Sequence, residues 1–386
     1  MFVFYLVPVI IGIFIRKSIK KPSDFLSWIY FFLACIPTVS LAPYLASSFY
    51  TGFIVNSIVV LVSFFLIFIG VIDENKIVPK IKGVNYKAMI IVVSIVTVFF
   101  IALLIKNYNF NFAKVIDLSI FKDAYLIRDE FRESKASSSA LTSYAIFWLA
   151  KVLVPFFICY GLAFKKKYFL IIGVVLQVII FSISAHKSFI FSVLLIFIIY
   201  ILLVYRTTFY QWISALTLFS FTSIFLYKVF GFSFLVDVVV RRALLVPGVL
   251  SIWWVNYFDS HDYAYFNNSF LGNFFNGNDG LAAPFLIGKY YFGNEWTSAN
   301  VNFAIDAYGN GGLIIVLVFL LLLLLILVVI NKFAQGGNNK KLFIILFTVP
   351  TFWSFIETSF VSVLVTHGLF ITFIIILFFR KNEEKS

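Results

Sequence analysis

The residues able to do chemistry are few and stand apart in an apolar chain. Arg241 and Arg242 open the stretch RRALLVPGVLSIWWVNYF, which leads to Asp259, His261 and Asp262. Adjacent guanidiniums offer planar forks that bind phosphate oxygens in pairs. A histidine between carboxylates can serve as a general base, although a polar loop contains the same residues. Glu295, in YYFGNEWTSANVNFAIDAYGNGG, is a further candidate base, with Asn300 and Asp306 nearby and Gly309, Gly311 and Gly312 permitting a bend. In YLIRDEFRESK, Arg128 and Arg132 share one helix face, with Asp129 and Glu133 alongside. That segment reads either as an interfacial helix laced with ion pairs or as an arginine reaching for an anion. Lys187, in SAHKS, is either a snorkelling turn residue or a phosphate contact.

Other groups are read with their plainer alternatives. Lys151 and Glu357 fall inside apolar runs, where ionisable residues mark function by default. They can pair with each other, or Lys151 can face a watery cavity. His367 reads as a hydrogen-bonded core histidine. Trp253, Trp254, Tyr257, Tyr263 and Tyr265 can stack on sugar rings, yet interfacial aromatic belts use the same residue types. Cys35 and Cys159 lie in apolar runs, the histidines are scattered, and the expected outer loops hold no DxD-like motif. No metal and no cofactor is therefore expected.

The elements that position these residues follow from composition. Of 386 residues, 62% are hydrophobic and 12% charged, and mean hydropathy is +1.03. A soluble domain carries about 25% charged residues. Soluble enzymes, DNA-binding proteins and disulfide scaffolds are excluded, and the net charge of +13 reports topology rather than nucleic acid. Runs such as LIIVLVFLLLLLLILVVI are far longer than the alternating segments of a β-barrel. The expectation is an all-α polytopic membrane protein forming a single membrane domain over 1–386, with about eleven transmembrane helices (ten to twelve). The spans fall near 1–15, 26–48, 50–72, 87–105, 140–163, 168–185, 188–205, 210–229, 311–330, 342–358 and 361–379. No internal repeat is evident, and residues 1–15 read as a first span rather than a cleaved signal.

Lys and Arg set the orientation. With the N-terminus outside and the C-terminus in the cytoplasm, 18 of the 30 basic residues fall in short inside segments. Two outer loops remain, 106–139 and the large 230–310 between helices 8 and 9. The second is too long for an idle connector. Arg128, Arg132, Lys187, Arg241, Arg242, His261 and Glu295 then share the outer side, an arrangement suited to an enzyme acting on a lipid-anchored anion. A transporter is expected to place such groups at mid-membrane, at broken helices.

Three stretches, SAHKSFIFSVLL, RRALLVPGVLSIWWVNYF and IGKYYFGNEWTSANVNFAIDAYGNGG, in this order and with this layout of spans, resemble the Wzy-type O-antigen or oligosaccharide repeat unit polymerases. Lys187 stands where many members carry Arg, which keeps the charge and loses the fork. The resemblance implies a metal-independent glycosyltransferase at the outer face of a bacterial cytoplasmic membrane. Its partners would be undecaprenyl-diphosphate-linked glycans, membrane lipid and a chain-length regulator protein, with no nucleic acid. Arg241, Arg242, Lys187 and Arg128 would hold the diphosphate, and His261, Glu295 or Asp259 would take the hydroxyl proton. An O-antigen ligase and a lipid-linked oligosaccharide flippase or transporter are the competing readings.

Overall fold

Backbone groups surrounded by lipid must bond within their own segment, so apolar runs of this length become helices. A computed structural model of the chain describes residues 2–78, 84–107, 140–267, 269, 271–275 and 280–380. It is an all-α polytopic membrane protein. Among the described residues, eight helices are long and apolar enough to cross a membrane: Pro22–Leu45, Phe49–Val71, Tyr86–Asn107, Leu141–Ala163, Lys167–Ser184, Lys187–Val204, Phe209–Phe230 and Phe303–Phe333. The other expected spans are helical but shorter or more polar. Phe2–Phe14 has 13 residues and contains Pro8. Asn338–Glu357 begins with two asparagines and two lysines. The stretch 361–379 is divided, by a left-handed Gly368, into Phe360–Leu364 and Leu369–Phe378. A two-residue parallel pairing, Val84–Asn85 with Phe379–Arg380, is the sole strand contact among the described residues.

The chain forms two compact units. Unit 1 comprises Met1–Asp73, Arg206–Val328 and Trp353–Phe360. Unit 2 comprises Glu74–Tyr205, Val329–Phe352 and Val361–Ser386. Each is built around one well-buried span: Pro22–Leu45 in unit 1 and Leu141–Ala163 in unit 2, both with 83% of the apolar window buried. Both spans widen into a π-helical turn, Phe31–Cys35 and Leu149–Leu153.

In unit 1, Pro22–Leu45 and Phe49–Val71 form a tight hairpin, with Ser48 capping the second helix by accepting from the Thr51 N–H at 3.1 Å. The far end of that second helix is closed by cations. Arg16 and Lys21 donate to the Gly70 carbonyl, Lys21 also to Ile72 at 2.9 Å, and Arg16 pairs with Asp24 at 3.5 Å. Some of the basic residues counted as topology markers thus also hold a helix end.

The stretch expected as the large outer loop, 230–310, is mostly helical. Ser233–Leu235 leads into the π-helical Val236–Leu245 and then Val246–Phe258. The junction residues Leu245 and Val246 keep right-handed helical dihedrals, so the path is continuous. Ala283–Phe292 follows, closed by a left-handed Gly293. Of the expected first outer loop, 108–139 lies outside the described residues, and with it Arg128, Asp129, Arg132 and Glu133.

Candidate functional site

The helix Val246–Phe258 organises unit 1. Its Gly248 lies so close to Pro37, mid-way along the first buried span, that a Cβ would sit 2.8 Å from the proline carbonyl carbon. Nearer its C-terminal end, the Asn256 amide donates to the Leu45 carbonyl at 3.0 Å and its oxygen accepts from the Ser47 N–H at 3.0 Å. The helix therefore runs beside Pro22–Leu45 and ends at the turn between the two hairpin helices.

Past that end the expected bases gather. His261 stacks on Tyr257 at 4.2 Å and an interplanar angle of 3°. Its Nδ1 lies 2.9 Å from the Tyr257 carbonyl. The Ser260 hydroxyl lies 3.0 Å from the same nitrogen. Tyr290 stands edge-on to both rings, 5.1 Å from Tyr257 and 5.6 Å from His261. Next to it, Lys289 pairs with Glu295 at 2.6 Å, with both side chains more than half exposed. Asp259 is the C-terminal cap residue of the same helix. On the adjoining turn Trp253 stacks on Tyr291 at 4.6 Å, and the Tyr291 hydroxyl donates to the Trp253 carbonyl at 3.2 Å. Burial pushes the Tyr257 and Tyr291 phenols up, and neighbouring Tyr290 adds to both shifts.

Arg241 and Arg242 are not part of this group. Tyr257 lies fifteen positions beyond Arg242 along a continuous helix, about 20 Å at the rise of an α-helix. Both arginines are exposed, and Arg241 pairs loosely with Asp237 at 3.5 Å. The stretch that carries them is ten residues of π-helix, a geometry that is rare and common at functional sites. Lys187 belongs to unit 2, where it opens the helix Lys187–Val204 after a left-handed Ala185. Beside it, His186 stacks on Phe189 at 5.3 Å, and the edge of Phe147 meets both His186 and His367 at 5.9 and 5.5 Å. Lys151 is buried in the π-helical turn of the same unit, and Glu357, in unit 1, accepts from the Trp353 indole at 2.6 Å.

A re-entrant segment also enters unit 1. The Ala299 carbonyl accepts from the Trp254 indole at 2.9 Å. Asn302 lies deeper: its amide donates to Ser251 at 3.1 Å and its oxygen accepts from the Tyr30 hydroxyl at 3.2 Å. The chain then turns back as a short helix, so that Gly309 packs against Trp254 and Phe258. Gly311 and Gly312 break the helix, the latter at φ +68°. The chain descends again, and Phe303 before the break and Phe319 after it meet the same ring, Phe360, at 6.4 and 4.8 Å. Phe303–Phe333 is thus two helices joined at a sharp bend. Asn302, Asp306 and Asn310 are buried along the first, and the Asn310 amide donates to both Asp306 oxygens, backbone and side chain, at 2.9 and 3.3 Å. Sequence reasoning singled out Asp306 with Glu295 and Asn300, at the outer mouth of an apolar helix, and passed over Asn302 and Asn310. Their spacing of i, i+4 and i+8 marks one helix face and was the available signal.

Among the described residues no group of three or more His, Cys, Asp or Glu side chains is placed to hold a metal. Comparison with protein-family models, with curated proteins and with solved structures gives no match.

Proposed function

We propose that this protein is a polymerase of lipid-linked oligosaccharide repeat units, acting at the outer face of a bacterial cytoplasmic membrane. The observation that carries the reading is the exposed Arg241–Arg242 pair on a π-helical stretch of a membrane-embedded unit. A diphosphate on a lipid tail needs fixed positive charge beside an apolar surface, and this pair supplies it. In the reaction the acceptor sugar's hydroxyl oxygen bonds to the donor's anomeric carbon. The bond from that carbon to the diphosphate oxygen breaks, and the electron pair leaves on the diphosphate. The hydroxyl proton passes to the departing phosphate or to solvent. Arg241 and Arg242 stabilise the charge that develops on the leaving group. Lys187 and Arg128 are the further candidates for holding it, and a chain-length regulator is the expected protein partner.

A base acts within about 3 Å of the proton it removes. His261, Glu295 and Asp259 lie a helix length from the arginine pair, so they and the pair do not serve one reaction centre. The break at Gly311 and Gly312 within Phe303–Phe333 favours a second reading, a flippase or transporter of lipid-linked oligosaccharide, because such proteins bind substrate at broken helices within the membrane.

Reconstitution decides between them. The protein is placed in proteoliposomes with lipid-linked single repeat units. The polymerase reading expects a ladder of longer lipid-linked chains, and Arg241→Ala is expected to lose it. Movement of single units between leaflets without elongation replaces the polymerase with the flippase. Transfer of glycan only to added lipid A core replaces it with the ligase.

A further inference from the structure

We infer that the aromatic corner formed by Trp253, Tyr257, His261, Lys289, Tyr290 and Tyr291 is a carbohydrate-binding subsite, holding sugar rings of the glycan several units away from the diphosphate. The assignment rests on the polymerising reading for its substrate, a lipid-linked glycan, and gives the corner a binding role in place of a catalytic one.

The argument starts from the rings. Anchors in an interfacial belt act singly, each with an apolar body in lipid and a polar tip in water. Here there are two parallel stacks, Tyr257 on His261 and Trp253 on Tyr291, and their members Trp253 and Tyr257 lie on successive turns of one helix. Tyr290 stands nearly perpendicular to the first stack, at 71° and 74°. The result is a corner with flat walls. A pyranose has one face of C–H bonds and a rim of hydroxyls. The face suits an aromatic wall, because its slightly positive hydrogens meet the negative face of the ring. The rim needs donors and acceptors close by, and the corner has them in His261 Nε2, the Tyr290 hydroxyl, Lys289 and Glu295. The Lys289–Glu295 pair is half exposed, so it can exchange its mutual contact for sugar hydroxyls at little cost. The His261 ring is held in orientation by its own backbone contact, which reduces the ordering cost of binding.

Distance completes the argument. With the diphosphate at Arg241 and Arg242, a ring held at Tyr290 is about 20 Å along the helix from it. That spacing is too large for the reacting sugar and fits a sugar further along the repeat unit or the growing chain. The corner would then select the glycan by its remote sugars.

The test uses oligosaccharides free of lipid and phosphate, released by partial acid hydrolysis from the host's own surface polysaccharide. Binding to the purified full-length protein in nanodiscs is followed by tryptophan fluorescence and by calorimetry. The wild type is expected to bind these fragments. Tyr290→Ala is expected to weaken binding about tenfold, the scale of one lost aromatic contact, while Tyr290→Phe retains most of it. Arg241→Ala is expected to keep glycan affinity while losing chain extension. No binding by the wild type overturns the proposal, as does binding that Arg241→Ala removes and Tyr290→Ala leaves intact. A lower unfolding temperature in Tyr290→Ala with unchanged glycan affinity also overturns it and returns the corner to interfacial anchoring. If fragments bind as expected but the reconstituted protein elongates nothing, the polymerising reading fails while the subsite stands.

Discussion

The central spans of the two units share a geometry and differ in chemistry. Pro22–Leu45 carries the π-helical turn FFLAC followed by Pro37, and Leu141–Ala163 carries LAKVL followed by Pro155. A π-turn leaves one backbone group out of register and needs close packing around it. Each span has a glycine contact near by: Gly248 against Pro37 in unit 1, and Gly161 against Leu170 in unit 2. In unit 1 the turn itself is apolar, and Asn302 brings in an amide bonded to Tyr30 and Ser251. In unit 2 a buried lysine side chain, Lys151, sits in the turn itself. One backbone solution therefore leaves the polar group outside the turn in one unit and inside it in the other.

The largest expected effect tests that difference. Lys151→Met leaves the groups bonded to this buried side chain without a partner and is expected to cost about 3 kcal/mol. Cys35→Ala, in the neutral turn, is expected to cost about 1 kcal/mol, the scale for a small loss of buried volume. Thermal unfolding in one detergent compares them, and equal losses would erase the distinction. Next, Gly248→Val and Gly161→Val each force a side chain into occupied space, at about 1–3 kcal/mol. If only one of them lowers the unfolding midpoint, the units are not packed alike.

Asn302→Ala removes a partner from the buried Tyr30 and Ser251 hydroxyls and is expected to cost about 1–3 kcal/mol. Asn302→Asp, scored beside it, shows whether this position tolerates a carboxylate in place of the amide. A smaller effect is expected at high pH. The Tyr257 and Tyr291 phenols are raised in the folded protein. Their contribution is complete below the unfolded phenol value, about 10, and is lost as pH rises through the folded values. Tyr257→Phe is expected to flatten that decline in a pH series of unfolding midpoints. The smallest effect is at Asp237→Asn, where an exposed partner of Arg241 leaves stability within about 1 kcal/mol.

Hydropathy made the spans legible, because a membrane-crossing helix requires a long apolar run and little else matches one. It could not reveal the two π-turns: FFLAC and LAKVL read as ordinary helix, since one extra residue per turn leaves no trace in composition. It also left the polar run 302–310 inside the expected outer loop. Asn, Asp and Gly signal a loop in water, and the same residues in a protein interior can pair with one another and with Tyr30 and Ser251. The gathering of His261, Asp259 and Glu295 was half visible. Asp259 and His261 are neighbours in sequence, whereas Glu295 joins them through Lys289 and Tyr290 on a separate helix. The distance from these residues to Arg241 and Arg242 was hidden because Pro247 and Gly248 read as a kink or an end of the helix-like stretch between them, whereas the helix runs on through both.

The bond between Tyr30 and Asn302 joins residues 272 positions apart. At the ordinary pace of translation, about 5–20 residues per second, the first buried span waits on the order of 15 to 55 seconds after its tyrosine is made before the asparagine exists. During that interval the phenol lacks this acceptor, and the ring of Phe303 that packs against it does not yet exist. The order of synthesis thus places this contact of unit 1 after most of unit 2 has been made.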